Sequence, residues 1–251
     1  MAIEIKEISK SFPQNEQEED LSILNNISLH IEDREFVSLV GPSGCGKSTL
    51  LRILAGLLKP DSGQILVDGR AITRPESSRC MVFQDYVLFP WMTVSGNIAL
   101  GLQVRKKDKE YVHKKVQWAI ELVGLNGFEK AYPHQLSGGM KQRVSIARAL
   151  VMNPEILLMD EPFGALDSFT RMKLQDELVR LCGKKEFTTV FITHDCDEAV
   201  YLSDRVVVFS GSPAEVKEIL PVDLPRPRNR TSPEFIALRN QILKVSVSAA
   251  E

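Results

Sequence analysis

The stretch Gly41-Pro42-Ser43-Gly44-Cys45-Gly46-Lys47-Ser48-Thr49 follows the apolar run Phe36-Val37-Ser38-Leu39-Val40 and precedes Leu50-Leu51-Arg52-Ile53-Leu54. The first run reads as a buried strand, the second as the start of an apolar helix. Between them, glycines let the backbone turn its N–H groups inward around an anion, Lys47 reaches phosphate oxygens, and the Ser48 hydroxyl suits Mg²⁺. The helix that opens there adds roughly half a positive charge at its N-terminus. The stretch from Gly41 through Thr49 is therefore predicted to hold the phosphates of a nucleotide. Strand, phosphate loop and helix in this order also predict an α/β fold.

Composition agrees with an enzyme of that kind. At 251 residues, 43% hydrophobic and 25% charged, the chain can bury a sizeable core as one large domain or two lobes. A formal net charge of -2 argues against a nucleic-acid binder that works by neutralising phosphates, so no nucleic-acid partner is expected. Cys45, Cys80, Cys182 and Cys196 show neither a C-x-x-C pair nor metal-ligand spacing; reduced thiols in a cytosolic protein are expected, and no zinc site. The start, Met1-Ala2-Ile3-Glu4-Ile5-Lys6-Glu7-Ile8, alternates like a half-buried strand and lacks the apolar block of a signal peptide. No stretch approaches the roughly twenty apolar residues that span a bilayer, so any service to a membrane is expected to run through partners.

Along the chain, strands are predicted near Ile3 to Ile8 and Ile27 to Ile31, with the acidic stretch 13–20 as a solvated hairpin tip. Further strands are expected at 64–69 and 80–83, the latter ending at Gln84. From Asp85 to Asn153 the period becomes helical; Val112, Val116, Ala119 and Val123 share one face of a helix that ends near Gly124. Continuous β-branched runs at 156–159, 189–193 and 205–209 then suit a parallel sheet buried on both faces. Prolines mark 220–230 as an extended linker, and a short amphipathic helix is expected from about Pro233 to Lys244.

Three further clusters carry chemistry. Ile156-Leu157-Leu158-Met159 delivers Asp160 and Glu161 at a strand end, where the first suits Mg²⁺ and the second a general base acting on water. His194 follows another buried strand and is placed to touch a γ-phosphate. Leu136-Ser137-Gly138-Gly139-Met140 opens a helix, and its serine and glycine N–H groups form a second anion-binding N-terminus. An Asp-Glu pair, a strand-end histidine or a capped helix is commonplace alone; beside a phosphate loop they make one constellation.

In this order the motifs resemble the nucleotide-binding subunit of an ATP-binding cassette (ABC) transporter over residues 1 to 220. The phosphate loop is followed by Gln84 at the glutamine-loop position, Leu136 to Met140 as the signature, Asp160 with Glu161, Gly164-Ala165-Leu166-Asp167 as the D-loop, and His194 as the switch histidine. The resemblance implies a P-loop NTPase with a mostly parallel core sheet, an N-terminal antiparallel β part and a helical subdomain. The nucleotide-binding core would be about 1–84 and 155–220, the helical subdomain 85–154, and 221–251 a linker and short helix. It implies ATP as substrate, Phe12 stacking on adenine, and Mg²⁺ held by Ser48, Gln84 and Asp160. Glu161 and His194 would be catalytic. A second copy of the chain would supply Ser137, Gly138 and Gly139 to the same ATP.

The stretch 84–94 and the tail Leu224-Pro225-Arg226-Pro227-Arg228 with Thr231 to Phe235 resemble the importer branch that handles nitrate, aliphatic sulfonates, taurine and related solutes. Membrane-spanning permease subunits, an extracytoplasmic solute-binding protein acting through them, and a place on the cytoplasmic face of the membrane are the partners and location this implies. Phe89-Pro90-Trp91 would border the groove for a permease helix, unless Trp91 is core. Two departures stand out: the signature ends in Met140 where many relatives have glutamine, and the acidic loop after Phe12 is long. An exporter subunit would share the catalytic motifs. A soluble repair or translation ATPase usually adds a second cassette or a coiled coil, and a small-molecule kinase has no use for the signature or the histidine.

Overall fold

The computed structural model describes residues 1–13, 20–183 and 187–249, and the alternation at its start is a strand, β1 (Ile3–Phe12), paired antiparallel with β2 (Leu21–Ile31). Strict alternation would send Ile3, Ile5 and Glu7 to one face. Instead the register shifts between Ile5 and Ile8, with Glu7 at φ 52°, so Ile3, Ile5 and Ile8 are all buried. This is a β-bulge, and it skips the charged residue. On the other side of β1 lies β4 (Ser62–Val67), continued by β5 (Arg70–Ala71). Gly63 faces the bulge at φ +79°, where a Cβ would stand 2.3 Å from the carbonyl oxygen of Lys6; only glycine fits so close an approach. Of the expected acidic hairpin tip, residues 14–19 lie outside the described residues.

These strands belong to one of two units, Met1–Glu76 with Lys185–Glu251. In the same unit β3 (Phe36–Val40) lies between β8 (Thr188–Ile192) and β9 (Arg205–Phe209), all parallel, and β10 (Val216–Pro221) joins β9 antiparallel. Every residue of β3 and β8 is buried, as the uninterrupted apolar runs require. Helix α1 (Lys47–Leu54) follows β3, α6 (Cys196–Leu202) follows β8, and α7 (Pro233–Ser248) packs on α6 and β9. The segment read from its prolines as a linker from Leu220 begins as the end of β10, and α7 runs beyond Lys244 to Ser248.

The second unit is Ser77–Lys184. It pairs β6 (Arg79–Val82) parallel with β7 (Ile156–Asp160) and carries α2 (Val94–Val104), α3 (Lys109–Leu122), α4 (Gly138–Leu150) and α5 (Ser168–Gly183). The predicted apolar face of α3 is buried at Val112, Val116 and Ala119, and Val123 beyond its end is buried too. Thr93 and Asp108 cap α2 and α3 by accepting from backbone N–H groups of the first turn. Gly124, at φ 63°, ends α3, and Arg143 from α4 donates to the carbonyls of Val123 and Gly124 at 3.1 and 2.9 Å. Among the described residues no helix is long and apolar enough to cross a membrane.

Candidate nucleotide site

The phosphate loop leaves β3 at its carboxyl end and returns as α1. Gly46 is the N-cap of that helix at φ 109°, and a Cβ there would meet side-chain carbons of Ile23 and Leu24 at 2.8 Å. The turn thus requires glycine twice over, for its backbone angle and for its space. Lys47 is 6% exposed; its ammonium donates to the carbonyls of Gly41 at 2.8 Å and Pro42 at 2.6 Å, across the mouth of the loop. Ser43 and Gly44 are exposed, while Gly41, Pro42, Gly46, Ser48 and Thr49 are half-buried.

Cys45 is 2% exposed, with its sulfur 3.6 Å from the Lys47 ammonium. Alkylation of this thiol is expected to be slow in the folded chain and slower still with ATP present. Peptide-resolved mass spectrometry after a timed pulse of N-ethylmaleimide reads it; labelling of Cys45 at one rate with and without ATP would contradict its place beneath the phosphates.

His194 stands at the carboxyl end of β8, the parallel neighbour of β3, with Leu39 opposite Ile192. The loop and the exposed imidazole therefore leave adjacent strands at the same end, where parallel sheets bind ligands. Thr193, on one side of His194, donates its hydroxyl to Glu198 at 2.6 Å; Asp195, on the other, caps α6 through the N–H groups of Asp197 and Glu198. Phe12 closes β1, 37% exposed, with the Lys10 ammonium 5.5 Å from its ring centre. Lys10 in turn pairs with Asp61 at 2.5 Å.

In the second unit the parallel register sets Val82 opposite Met159, so Gln84 and the Asp160-Glu161 pair also leave neighbouring strands at one end. Asp160 is 4% exposed as the last residue of β7. Glu161 sits at φ 44°, a left-handed conformation that disfavours a side chain by about 1 kcal/mol. Such strain aims the carboxylate by geometry rather than by local preference.

Ser137 is the N-cap of α4, its hydroxyl accepting from Met140 N–H at 3.3 Å. The two glycines after it have a steric reason as well. A Cβ at Gly138 would stand 2.9 Å from the Tyr86 hydroxyl, and one at Gly139 would stand 3.2 Å from the carbonyl of Ala165 in the D-loop. Their N–H groups occupy the first turn, where no intrahelical acceptor exists. The Asp167 carboxylate accepts from Thr170 N–H at 3.0 Å, which holds its pKa below the ordinary value.

Two residues that sequence reasoning passed over organise the stretch after Gln84. Asn97 is wholly buried; its amide accepts from Phe89 N–H at 2.8 Å and donates to the carbonyls of Phe89, Met92 and Thr93. Arg148 of α4 donates to the carbonyls of Val87 at 2.7 Å and Tyr86 at 3.4 Å, and burial lowers its pKa. The signature helix and the glutamine-loop segment are thereby joined. Trp91, left open as core or surface, is 71% exposed beside Phe89, with ring centres 5.7 Å apart. An asparagine on the mostly apolar helix α2, followed by Ile98, Ala99 and Leu100, is the one local signal of this arrangement. Asn97→Ala is expected to destabilise the unit by about 2–3 kcal/mol through the backbone groups it leaves unpaired, read as a lower urea midpoint by tryptophan fluorescence; an unchanged midpoint would contradict it.

The family model described as ABC transporter matches residues 24–164. The chain belongs to the ABC transporter family. It is 49% identical over 244 residues to the aliphatic sulfonates import ATP-binding protein SsuB of Bacillus thuringiensis subsp. konkukian, covering 97% of this chain and 95% of the relative. An uncharacterized ABC transporter ATP-binding protein of Methanocaldococcus jannaschii is likewise 49% identical, over 97% of this chain and 90% of its own. Among solved structures, a dimeric ATP-binding cassette in a post-hydrolysis state bound to ADP and Pi aligns with TM-score 0.81 and 33% identity, over 88% of this chain and 98% of that one. The expected α/β P-loop fold of ABC ATPases is the fold of this family member.

Proposed function

We propose that the chain is the ATP-hydrolysing subunit of an importer for aliphatic sulfonates or a related small solute such as nitrate or taurine. The observation that carries this reading is the 49% and 48% identity, over 97% of this chain, to relatives named for sulfonate import, supported by the cassette motifs read in the sequence.

In this reading Phe12 stacks on the adenine, the N–H groups of the phosphate loop surround the phosphates, and Lys47 exchanges its carbonyl partners for phosphate oxygens. Ser48, Gln84 and Asp160 offer hydroxyl, amide and carboxylate oxygens, hard donors of the kind Mg²⁺ prefers. When bound, the ion neutralises charge that builds on the phosphates. Glu161 takes the proton of the attacking water, and His194 contacts the γ-phosphate. A second copy of the chain adds Ser137 with the N–H groups of Gly138 and Gly139, related by a two-fold axis.

The exposed Trp91, beside a half-buried Phe89 whose backbone Asn97 holds, with the segment tied to the signature helix by Arg148, supports a docking role for this segment toward a membrane-spanning permease. The subunit then lies on the cytoplasmic face, and the solute-binding protein acts from the other side. The test is affinity purification of the tagged chain from membranes of its native host in mild detergent, with mass spectrometry of what accompanies it. A multi-span permease is the expected companion. Soluble partners alone, with ATPase activity intact, would overturn the importer reading.

A further inference from the structure

The arginines of the proline-rich tail have no part in the chemistry above, yet their contacts converge on one helix end. The last carbonyls of any helix lack intrahelical partners. In α6 these are the carbonyls of Val200, Tyr201, Leu202 and Ser203, and all four accept from the tail. Arg228 Nη1 donates to Val200 at 2.7 Å, Tyr201 at 3.2 Å and Ser203 at 2.6 Å, and Arg226 Nη2 donates to Leu202 at 2.5 Å. Arg228 also holds its own strap in shape through the carbonyls of Val222 at 3.0 Å and Leu224 at 3.2 Å. Arg226 Nη1 reaches the Asp204 carboxylate at 2.7 Å, and that carboxylate accepts from Phe36 N–H at the start of β3. The Arg230 guanidinium lies 3.6 Å from the centre of the Tyr201 ring.

A buried arginine that makes five carbonyl bonds is a costly device for a mere linker. Arg228 is 7% exposed, and burial pushes its pKa down to about 10, so it stays charged at neutral pH. The positive charge meets the negative end of the α6 dipole. At the other end, α6 is tied through Glu198 and Asp195 to the residues on both sides of His194. The Arg239 side chain of α7 lies 3.8 Å from Asp197 in that first turn. A helix of two turns thus links the tail to the imidazole's backbone.

We propose that Arg226 and Arg228 are positioning residues for His194: the tail clamps α6 by its carboxyl end, and the clamped helix fixes where the imidazole stands. This rests on the reading of His194 as the γ-phosphate contact. Freed from the clamp, α6 can shift, and a misplacement of about 1 Å at a reacting group is enough to slow turnover up to a hundredfold. ATP affinity, set by the phosphate loop and Phe12, is not touched.

The test compares Arg228→Ala, Arg228→Lys, His194→Ala and the double variant Arg228→Ala/His194→Ala in the full chain. Steady-state kinetics is read alongside the imidazole NMR signals of histidine-labelled protein. Arg228→Ala is expected to lower kcat about tenfold or more with little change in KM for ATP. Arg228→Lys should recover part of the loss, and the double variant should be no slower than His194→Ala. The His194 signal should move in Arg228→Ala while those of His30, His113 and His134 stay. Losses that multiply in the double variant, or a His194 signal that does not move, would overturn the proposal. Should Arg228→Ala fail to fold, Arg226→Gln, which frees only the Leu202 carbonyl and Asp204, is read in the same way. If His194→Ala keeps the parental kcat, the role given to His194 fails; the NMR signal then decides the clamp by itself.

Discussion

Glu161→Gln is expected to bind ATP at least as tightly as the parent and to hydrolyse it about a thousandfold more slowly, the range set by loss of a general base. Glutamine keeps the shape and hydrogen-bonding reach of the side chain but cannot accept the proton of the attacking water. Removing a carboxylate near phosphate charge also lessens repulsion, so affinity should hold or rise. The strained backbone at φ 44° is the same for either residue, which makes the variant a clean probe of charge. Single-turnover phosphate release and equilibrium nucleotide binding, measured on the same preparation, separate the two effects. Hydrolysis at the parental rate would remove Glu161 from the mechanism.

Lys47→Ala is expected to act on the other quantity. The ammonium is nearly buried and bonded to two loop carbonyls, so its loss takes a charge from the phosphates and a brace from the loop. A hydrogen bond to a charged group contributes about 1.5–3 kcal/mol, which corresponds to a loss of ATP affinity of roughly tenfold to more than a hundredfold. Titration with a fluorescent ATP analogue reads the change, with circular dichroism as a check that the fold survives. An unchanged Kd would contradict the assignment of Gly41 to Thr49 as the phosphate loop.

What could be read in the chain before its structure was whatever is local. The largely apolar runs at 36–40, 156–159 and 189–193 read as strands because most of their side chains leave water on both faces of a sheet, and the phosphate loop announces itself through glycines whose angles no other residue adopts freely. The same holds for the Ser137 cap at the head of α4, which does what its side chain does in any helix. Contacts distant in sequence were not legible. The bulge at Glu7 becomes necessary only when Gly63 is packed against it, and Asn97 reads as an ordinary polar residue until its four backbone partners fold around it. The tail shows the difference most sharply. Its prolines speak for an extended linker, whereas the segment starts as the end of β10, bends at Arg226 and Pro227 and is folded back by Arg228 onto the carbonyls of Val222 and Leu224; its arginines find their other carbonyls in a helix whose end lies more than twenty residues earlier.

The central claim is that ATP hydrolysis by this chain drives solute entry, and uptake by the reconstituted complex tests it most directly. The chain and its co-purified permease are placed in proteoliposomes with ATP and Mg²⁺ inside and the binding protein and a labelled alkanesulfonate, taurine or nitrate outside. Accumulation of one of these solutes with the parent chain, and none with Glu161→Gln or without ATP, is the predicted result. Accumulation at the same rate with Glu161→Gln, or without nucleotide, would contradict it.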